Sequence, residues 1–202
     1  MRLDLQRLRA CLLPQPLASD FVDEDGALSQ ALTPAAVLFP LVRHPAGTTV
    51  LLTERTAHLR DHAGQVSFPG GRVEAADPSP IHTALRETEE EIGLTRDHVE
   101  ILGFLPEYRT GTGFRITPVV ALVAPPFALR PDPFEVAGVF EVPLDFLLDP
   151  ANHQQHEVFY RGALRRYYAM PYDGHFIWGA TAGMIRSLSE RLASTPCGIV
   201  TF

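Results

Sequence analysis

From Ala35 to Val42 the chain is apolar throughout, and beyond His44-Pro45-Ala46-Gly47 it turns β-branched and apolar again over Thr49 to Thr53. Two short apolar runs around a Pro/Gly turn predict a hairpin of buried strands. The segment from Val66 to Gly71 predicts a strand end that breaks into a glycine turn. The next helix marks its own limits: Ser79 suits the cap, Pro80 the first helical position and Gly93 the stop. Further strands are predicted over 99–105, 116–123 and 136–142, with a helical turn after Pro143. A second hairpin is predicted from Val158–Arg161 and Leu164–Met170 around Gly162. Helical periodicity runs from Leu3 to Leu13, where Pro14 ends it, and returns from Ala180 to Ala193. Strands and helices mix without strict βαβ alternation. The expected class is therefore α/β, a mixed sheet sandwiched between helices.

Composition narrows the functional classes. With 202 residues, 46% apolar and 20% charged, one globular domain is expected. Its parts are an N-terminal helix and loop (1–33), a core (34–150) and a C-terminal hairpin and helix (151–202). A net charge of −7 argues against nucleic acid or an anionic membrane as partner. A phosphorylated small molecule remains compatible if a metal ion or local arginines neutralise it. Cys11 and Cys197, near opposite ends, have no ligand spacing and build no disulfide framework, as expected in a reducing cytoplasm. The first residues lack the apolar stretch of a signal peptide, and no segment has the roughly 20 apolar residues of a membrane span. A soluble, cytoplasmic protein is expected.

The stretch Arg86-Glu87-Thr88-Glu89-Glu90-Glu91-Ile92-Gly93-Leu94 carries the chemistry. At 100° per residue, Glu87, Glu90 and Glu91 fall within an arc of about 100°, beside the apolar face of Ile81, Ala84, Leu85 and Ile92. That places three carboxylates at the edge of the core, while Glu89 points away. Like charges at these spacings repel by about 0.2–0.5 kcal/mol per pair, and carboxylates at a helix C-terminus oppose its dipole. A hard divalent cation such as Mg²⁺ or Mn²⁺ offsets both effects. An acidic run alone more often marks a solvated face, so its context decides.

Upstream stand Phe68-Pro69-Gly70-Gly71 and Asp77. Gly71, Asp77, Arg86-Glu87, Glu90-Glu91 and Gly93-Leu94 together resemble the Nudix box, which places a glycine, a glutamate and then Arg-Glu-apolar-x-Glu-Glu-x-Gly-apolar at fixed spacing. Here the box would span 71–94, with three departures. Asp77 replaces the first glutamate, the following spacer is one residue longer, and Thr88 fills an apolar slot. These departures resemble the coenzyme A pyrophosphatase branch of that family. A second signature of the branch is matched by Leu51–Thr56 and Leu59-Arg60-Asp61-His62-Ala63-Gly64-Gln65 leading into Val66–Gly71, and a third by Phe176–Gly183.

The resemblance implies a Nudix-type α/β/α sandwich and hydrolysis of the pyrophosphate bond of coenzyme A or acyl-CoA, giving 3′,5′-ADP and 4′-phosphopantetheine. It implies that Glu87, Glu90, Glu91 and the Gly71 carbonyl hold the metal, and that Arg86 holds the glutamates in place. Glu91 or Glu135 would take the proton from water. Arginine forks suit phosphate oxygens, which makes Arg55 and Arg60 candidates for substrate binding, with His62, Gln65 and Gly70 beside them. Hydrolysis of another nucleoside diphosphate derivative, such as ADP-ribose or a nucleotide sugar, is the neighbouring alternative. A non-catalytic nucleotide-binding module is the more distant one, since all three glutamates are present.

Overall fold

The computed structural model describes residues 4–17, 22–23, 32–58, 64–160 and 163–195. In chain order its elements are α1 (Leu5–Cys11), β1 (Val22–Asp23), β2 (Thr33–His44), β3 (Gly47–Arg55), β4 (Val66–Ser67), β5 (Gly70–Arg72) and α2 (Pro80–Ile92). There follow β6 (Val99–Phe104), β7 (Tyr108–Arg109), β8 (Phe114–Val123), β9 (Val136–Pro143) and α3 (Leu144–Leu148). The last are β10 (Gln154–Tyr160), β11 (Ala163–Tyr172), β12 (His175–Trp178) and α4 (Gly179–Ser194).

Among the described residues β1 to β9 form one mixed sheet and β10–β11–β12 a smaller antiparallel one. β2 lies at the centre of the larger sheet. It pairs parallel with β8 over Thr33–Val42 and antiparallel with β3 through the hairpin, whose turn is confined to Pro45-Ala46. Successive side chains of β2 face opposite ways, and both faces are covered. Val37, Phe39 and Leu41 join Leu8 of α1, Leu144 and Leu147 of α3, and Met184, Ile185 and Leu188 of α4. Ala36, Leu38 and Val42 join Ala84 and Ile92 of α2. The result is the α/β/α sandwich expected from the sequence. A run buried on both faces explains why the Ala35–Val42 segment shows no polar alternation. The smaller sheet contributes Met170 and Ile177 to the α4 side. No helix of the described residues is long and apolar enough to cross a membrane.

One expectation is corrected. Gly70 and Gly71 do not form a turn; they lie in β5, paired with Val37 and Ala36. β2 and β3 diverge, and the stretch from Val66 to Arg72 fills the notch between them. Val66 and Ser67 pair with Glu54 and Thr53 of β3, the chain bends at Phe68-Pro69, and Gly70–Arg72 pairs with β2. The Leu38 amide donates to the Pro69 carbonyl across the bend at 2.9 Å. Gly70 takes φ +153°, and a Cβ there would lie 2.6 Å from Val37 Cα, so only glycine fits.

Candidate active site

α2 begins and ends as its sequence predicts. The Ser79 hydroxyl accepts from the His82 amide, Pro80 opens the helix, and Gly93 closes it in the left-handed conformation at φ 69°. Thr88, the polar residue in an apolar slot, is fully buried, and its hydroxyl donates to the Ala84 carbonyl at 2.6 Å. That bond satisfies the one polar group the slot would otherwise leave unpaired.

The three glutamates meet different surroundings. Glu91 is 5% exposed, and its Oε2 accepts from the Gly70 amide at 3.1 Å. Its Oε1 lies 3.6 Å from Arg55 Nη1. Burial pushes the Glu91 carboxyl up to about 8, against the pull of the Gly70 amide and Arg55, and the charges of Glu135 and Glu87 add to the rise. Glu87 is half-buried and seated on Gly71. A Cβ on Gly71 would lie 2.5 Å from each Glu87 carboxylate oxygen, so glycine is needed there for contact rather than for a turn. Burial raises the Glu87 carboxyl too, partly offset by Arg86. Glu90 stands outside, its side chain 59% exposed. Glu89 is exposed as well.

Arg86 ties the group together. Its Nη1 donates to Glu87 Oε1 and Glu90 Oε2, both at 3.0 Å. Its Nε and Nη2 grip Asp77 at 3.1 and 2.9 Å, and Nη2 also reaches the Arg72 carbonyl at 3.2 Å. Asp77 in turn accepts from the Glu74 amide and the Thr83 hydroxyl. The Arg86 guanidinium holds the Asp77 carboxyl well below the usual carboxylate range, helped by the Glu74 amide. Asp77 thus orients Arg86, a role the sequence reading misses by treating it only as a departure from the motif. An acid nine residues ahead of the arginine is the signal that was available.

Glu135 comes from the other side of the sheet order, yet the fold brings it to the same place. The free carbonyls at the end of α2 are taken up by the loop before β9: Arg130 and Asp132 amides donate to Ile92 and Glu91 carbonyls, each at 2.8 Å. The Thr56 amide and hydroxyl then fasten the Glu135 and Phe134 carbonyls. Glu135 consequently lies close enough to raise both Glu87 and Glu91. Arg55 is held by backbone bonds to Gly64 and Gln65, so Gln65 sits across from it at the rim. Arg60 and His62 lie outside the described residues. Among the described residues no three His, Cys, Asp or Glu side chains are gathered tightly enough to coordinate an ion as they stand. Arg86 occupies Glu87 and Glu90 while Glu91 turns to Gly70. The donor types nevertheless suit a hard cation: carboxylate oxygens, two of them on desolvated groups beside a third acid.

A NUDIX domain model matches residues 32–162. This sandwich, with its acidic helix set on a Gly-Gly strand, belongs to the Nudix family of hydrolases. A Shigella flexneri protein named Uncharacterized Nudix hydrolase NudL is 44% identical over 162 residues, spanning 80% of this chain and 84% of that protein. The protein of the same name from Escherichia coli (strain K12) is 43% identical over the same shares. Among solved structures, the Nudix hydrolase RenU from M. smegmatis superposes with a TM-score of 0.54 at 22% identity, over 82% of this chain and 88% of that one. A MutT/nudix family protein from Enterococcus faecalis gives 0.53 at 16% identity, over 84% and 65%. At these identities the structures speak to the fold.

Proposed function

We propose that the chain acts as one hydrolase domain that cuts the pyrophosphate bond of coenzyme A or acyl-CoA with the help of Mg²⁺ or Mn²⁺, releasing 3′,5′-ADP and (acyl-)4′-phosphopantetheine. The observation that carries the hydrolytic reading is the seating of Glu91 on the Gly70 amide and of Glu87 on Gly71, both carboxyls raised by burial and by the charge of Glu135. Such seating is unfavourable by itself and is relieved by a divalent cation. The CoA branch is supported by the signatures at 51–56, 59–71 and 176–183.

Glu87, Glu90, Glu91 and the Gly71 carbonyl would hold the ion. Bound there, it supplies charge neutralisation for the diphosphate and a water of lowered pKa. Water attacks one phosphorus, the bridging oxygen departs with the other phosphate, and a carboxylate takes the proton. Glu91 and Glu135 are the two acids in position for that transfer. Arg86, fixed by Asp77, orients Glu87 and Glu90 without touching substrate. Arg55 directs its guanidinium into the same space as Glu91 and, with Gln65 and the Gly70 backbone, meets the phosphate oxygens. Arg60 and His62 complete the substrate contacts.

The test is a product assay with Mg²⁺ or Mn²⁺ and a panel of CoA, acetyl-CoA, ADP-ribose and a nucleotide sugar. 3′,5′-ADP from the CoA species alone supports the assignment. Cleavage of ADP-ribose alone keeps the metal site and removes the branch. No product from any substrate sinks the catalytic reading.

A further inference from the structure

Phe134 stands next to Glu135 at the rim of the acidic site, and its ring is 64% exposed. The other large apolar side chains left exposed among the described residues lie elsewhere, Leu17 in the N-terminal segment and Val158, Phe159, Leu164 and Phe176 in the smaller sheet. A lone exposed ring is ordinary on a protein surface. Here, however, the backbone beneath the ring is fixed on both sides. The Phe134 amide donates to Asp132 Oδ1 at 2.9 Å, and the Phe134 carbonyl accepts from the Thr56 hydroxyl at 2.8 Å. The Glu135 carbonyl accepts from the Thr56 amide at 3.0 Å. Thr56 directly follows Arg55, so one turn carries both the guanidinium beside Glu91 and the brace under Phe134. Two residues further on, His58 sets its ring against that of Phe134, with centroids 4.8 Å apart and planes tilted by 59°.

An exposed ring on a fixed backbone loses little freedom when a ligand covers it, so most of the apolar contact is kept as affinity. The charges around it define the ligand. Asp132 accepts from the Phe134 amide and Glu135 is the next residue, so two acids flank the ring. Arg130 of the same loop packs against Gly93 at the end of α2. Two acids repel a further phosphate, whereas an uncharged chain of methylenes and amides meets no such penalty. The two halves of the proposed substrate differ in just this respect. Beyond the diphosphate, the nucleotide half carries a 3′-phosphate and the pantetheine half carries no ionised group. Adenine also stacks on aromatic rings, but its ribose would bring the 3′-phosphate toward Asp132 and Glu135.

We infer that Phe134, with His58 beside it, is a specificity-determining contact for the uncharged arm of the substrate, so that the pantetheine half leaves the diphosphate across these two rings. The inference rests on the coenzyme A reading of the adjoining site and adds the direction in which the substrate lies. It also gives an exposed phenylalanine beside Glu135 a role that the carboxylate chemistry does not use.

Calorimetric titration of the two products, 4′-phosphopantetheine and 3′,5′-ADP, in Mg²⁺ tests this without turnover. Phe134→Ala should weaken 4′-phosphopantetheine about tenfold, the effect of losing apolar contact with part of a phenyl ring. It should leave 3′,5′-ADP unchanged, and Phe134→Tyr should restore the wild-type affinity. The urea midpoint of Phe134→Ala should match the wild type, because the ring is mostly exposed. Three results overturn the assignment: an unchanged affinity for 4′-phosphopantetheine in Phe134→Ala, no measurable binding of it by the wild type, or an equal loss on 3′,5′-ADP. The last of these would give the rings to the base instead. Failure of the coenzyme A reading is seen separately, as absence of 3′,5′-ADP when the wild type is incubated with CoA. A Phe134-dependent affinity for 4′-phosphopantetheine would support the contact even then.

Discussion

The two faces of β2 differ most where the strand meets β5. Toward α4, Val37, Phe39 and Leu41 interlock with leucines and methionines, and Phe39 packs its ring 4.3 Å from Phe68. Toward α2, the same strand offers Leu38 and Val42 but only Ala36 where it meets β5, and β5 offers Gly71 and the Gly70 amide. Bulk on the first face excludes water and supplies the burial that holds the sandwich together. Smallness beside β5 lets a helix carry carboxylates down onto backbone, which leaves Glu87 and Glu91 desolvated by more than Arg86 and Arg55 offset. One strand thus supports a stabilising core on one side and an electrostatically costly site on the other. The first compensates for the second.

Substitutions should separate the two faces. Glu90→Gln should lower turnover by about a thousandfold, equivalent to roughly 4 kcal/mol of barrier, with an unchanged urea midpoint because the side chain is mostly exposed. Activity at the wild-type level would end the metal-site assignment. Phe39→Ala should cost about 3–4 kcal/mol of stability in urea denaturation, with kcat retained in the fraction that stays folded. Gly71→Ala should lower turnover about a hundredfold, since the new methyl displaces the Glu87 carboxylate; a tolerant Gly71 would mean that Glu87 is not seated as described.

The next effect is one of pH. Glu91 is raised from 4.5 to about 8, so the folded protein keeps a proton that the unfolded chain releases. In EDTA the stability should therefore be complete below pH 4.5 and fall as pH rises toward about 8, by at most about 1.4 kcal/mol per pH unit. Glu91→Gln should flatten that slope, and Mg²⁺ should oppose it by favouring the deprotonated form. A slope unchanged in Glu91→Gln would assign the proton elsewhere. Smallest of all should be Gly138→Ala in β9, where a Cβ meets nothing within 4 Å; a stability change under about 0.5 kcal/mol is expected. A large loss there would show that small residues matter beyond the α2 face.

How much of this is readable in the sequence follows from the range of the forces. α2 is legible to the residue because Ser79, Pro80 and Gly93 act locally. The β2–β3 hairpin is legible because its apolar runs flank a two-residue turn. The strands of two residues, β1, β4 and β7, are too short to show a period, and β12 exists through its pairing with β11. The strand character of Gly70–Gly71 depends on β2, more than thirty positions upstream, and glycine-rich spelling suggests a turn instead. At the site, the grouping of Glu87, Glu90 and Glu91 follows from helical spacing. Their division into a buried, a half-buried and an exposed carboxylate does not, because it depends on Gly70, Gly71 and Arg55. The proximity of Glu135 depends on how a distant loop caps the end of α2.

The bent stretch in the notch between β2 and β3 also sets where the chain can change length. Val66–Ser67 is registered on β3 and Gly70–Arg72 on β2, and only Phe68-Pro69 separates them. One residue added or removed there would slip one half by a single position and turn its side chains to the opposite face. Gly71 would no longer lie under Glu87, nor the Gly70 amide against Glu91. Insertions that tune the substrate must therefore enter outside this stretch, and a library of loop-length variants should recover active members only when the span from Val66 to Arg72 keeps its length.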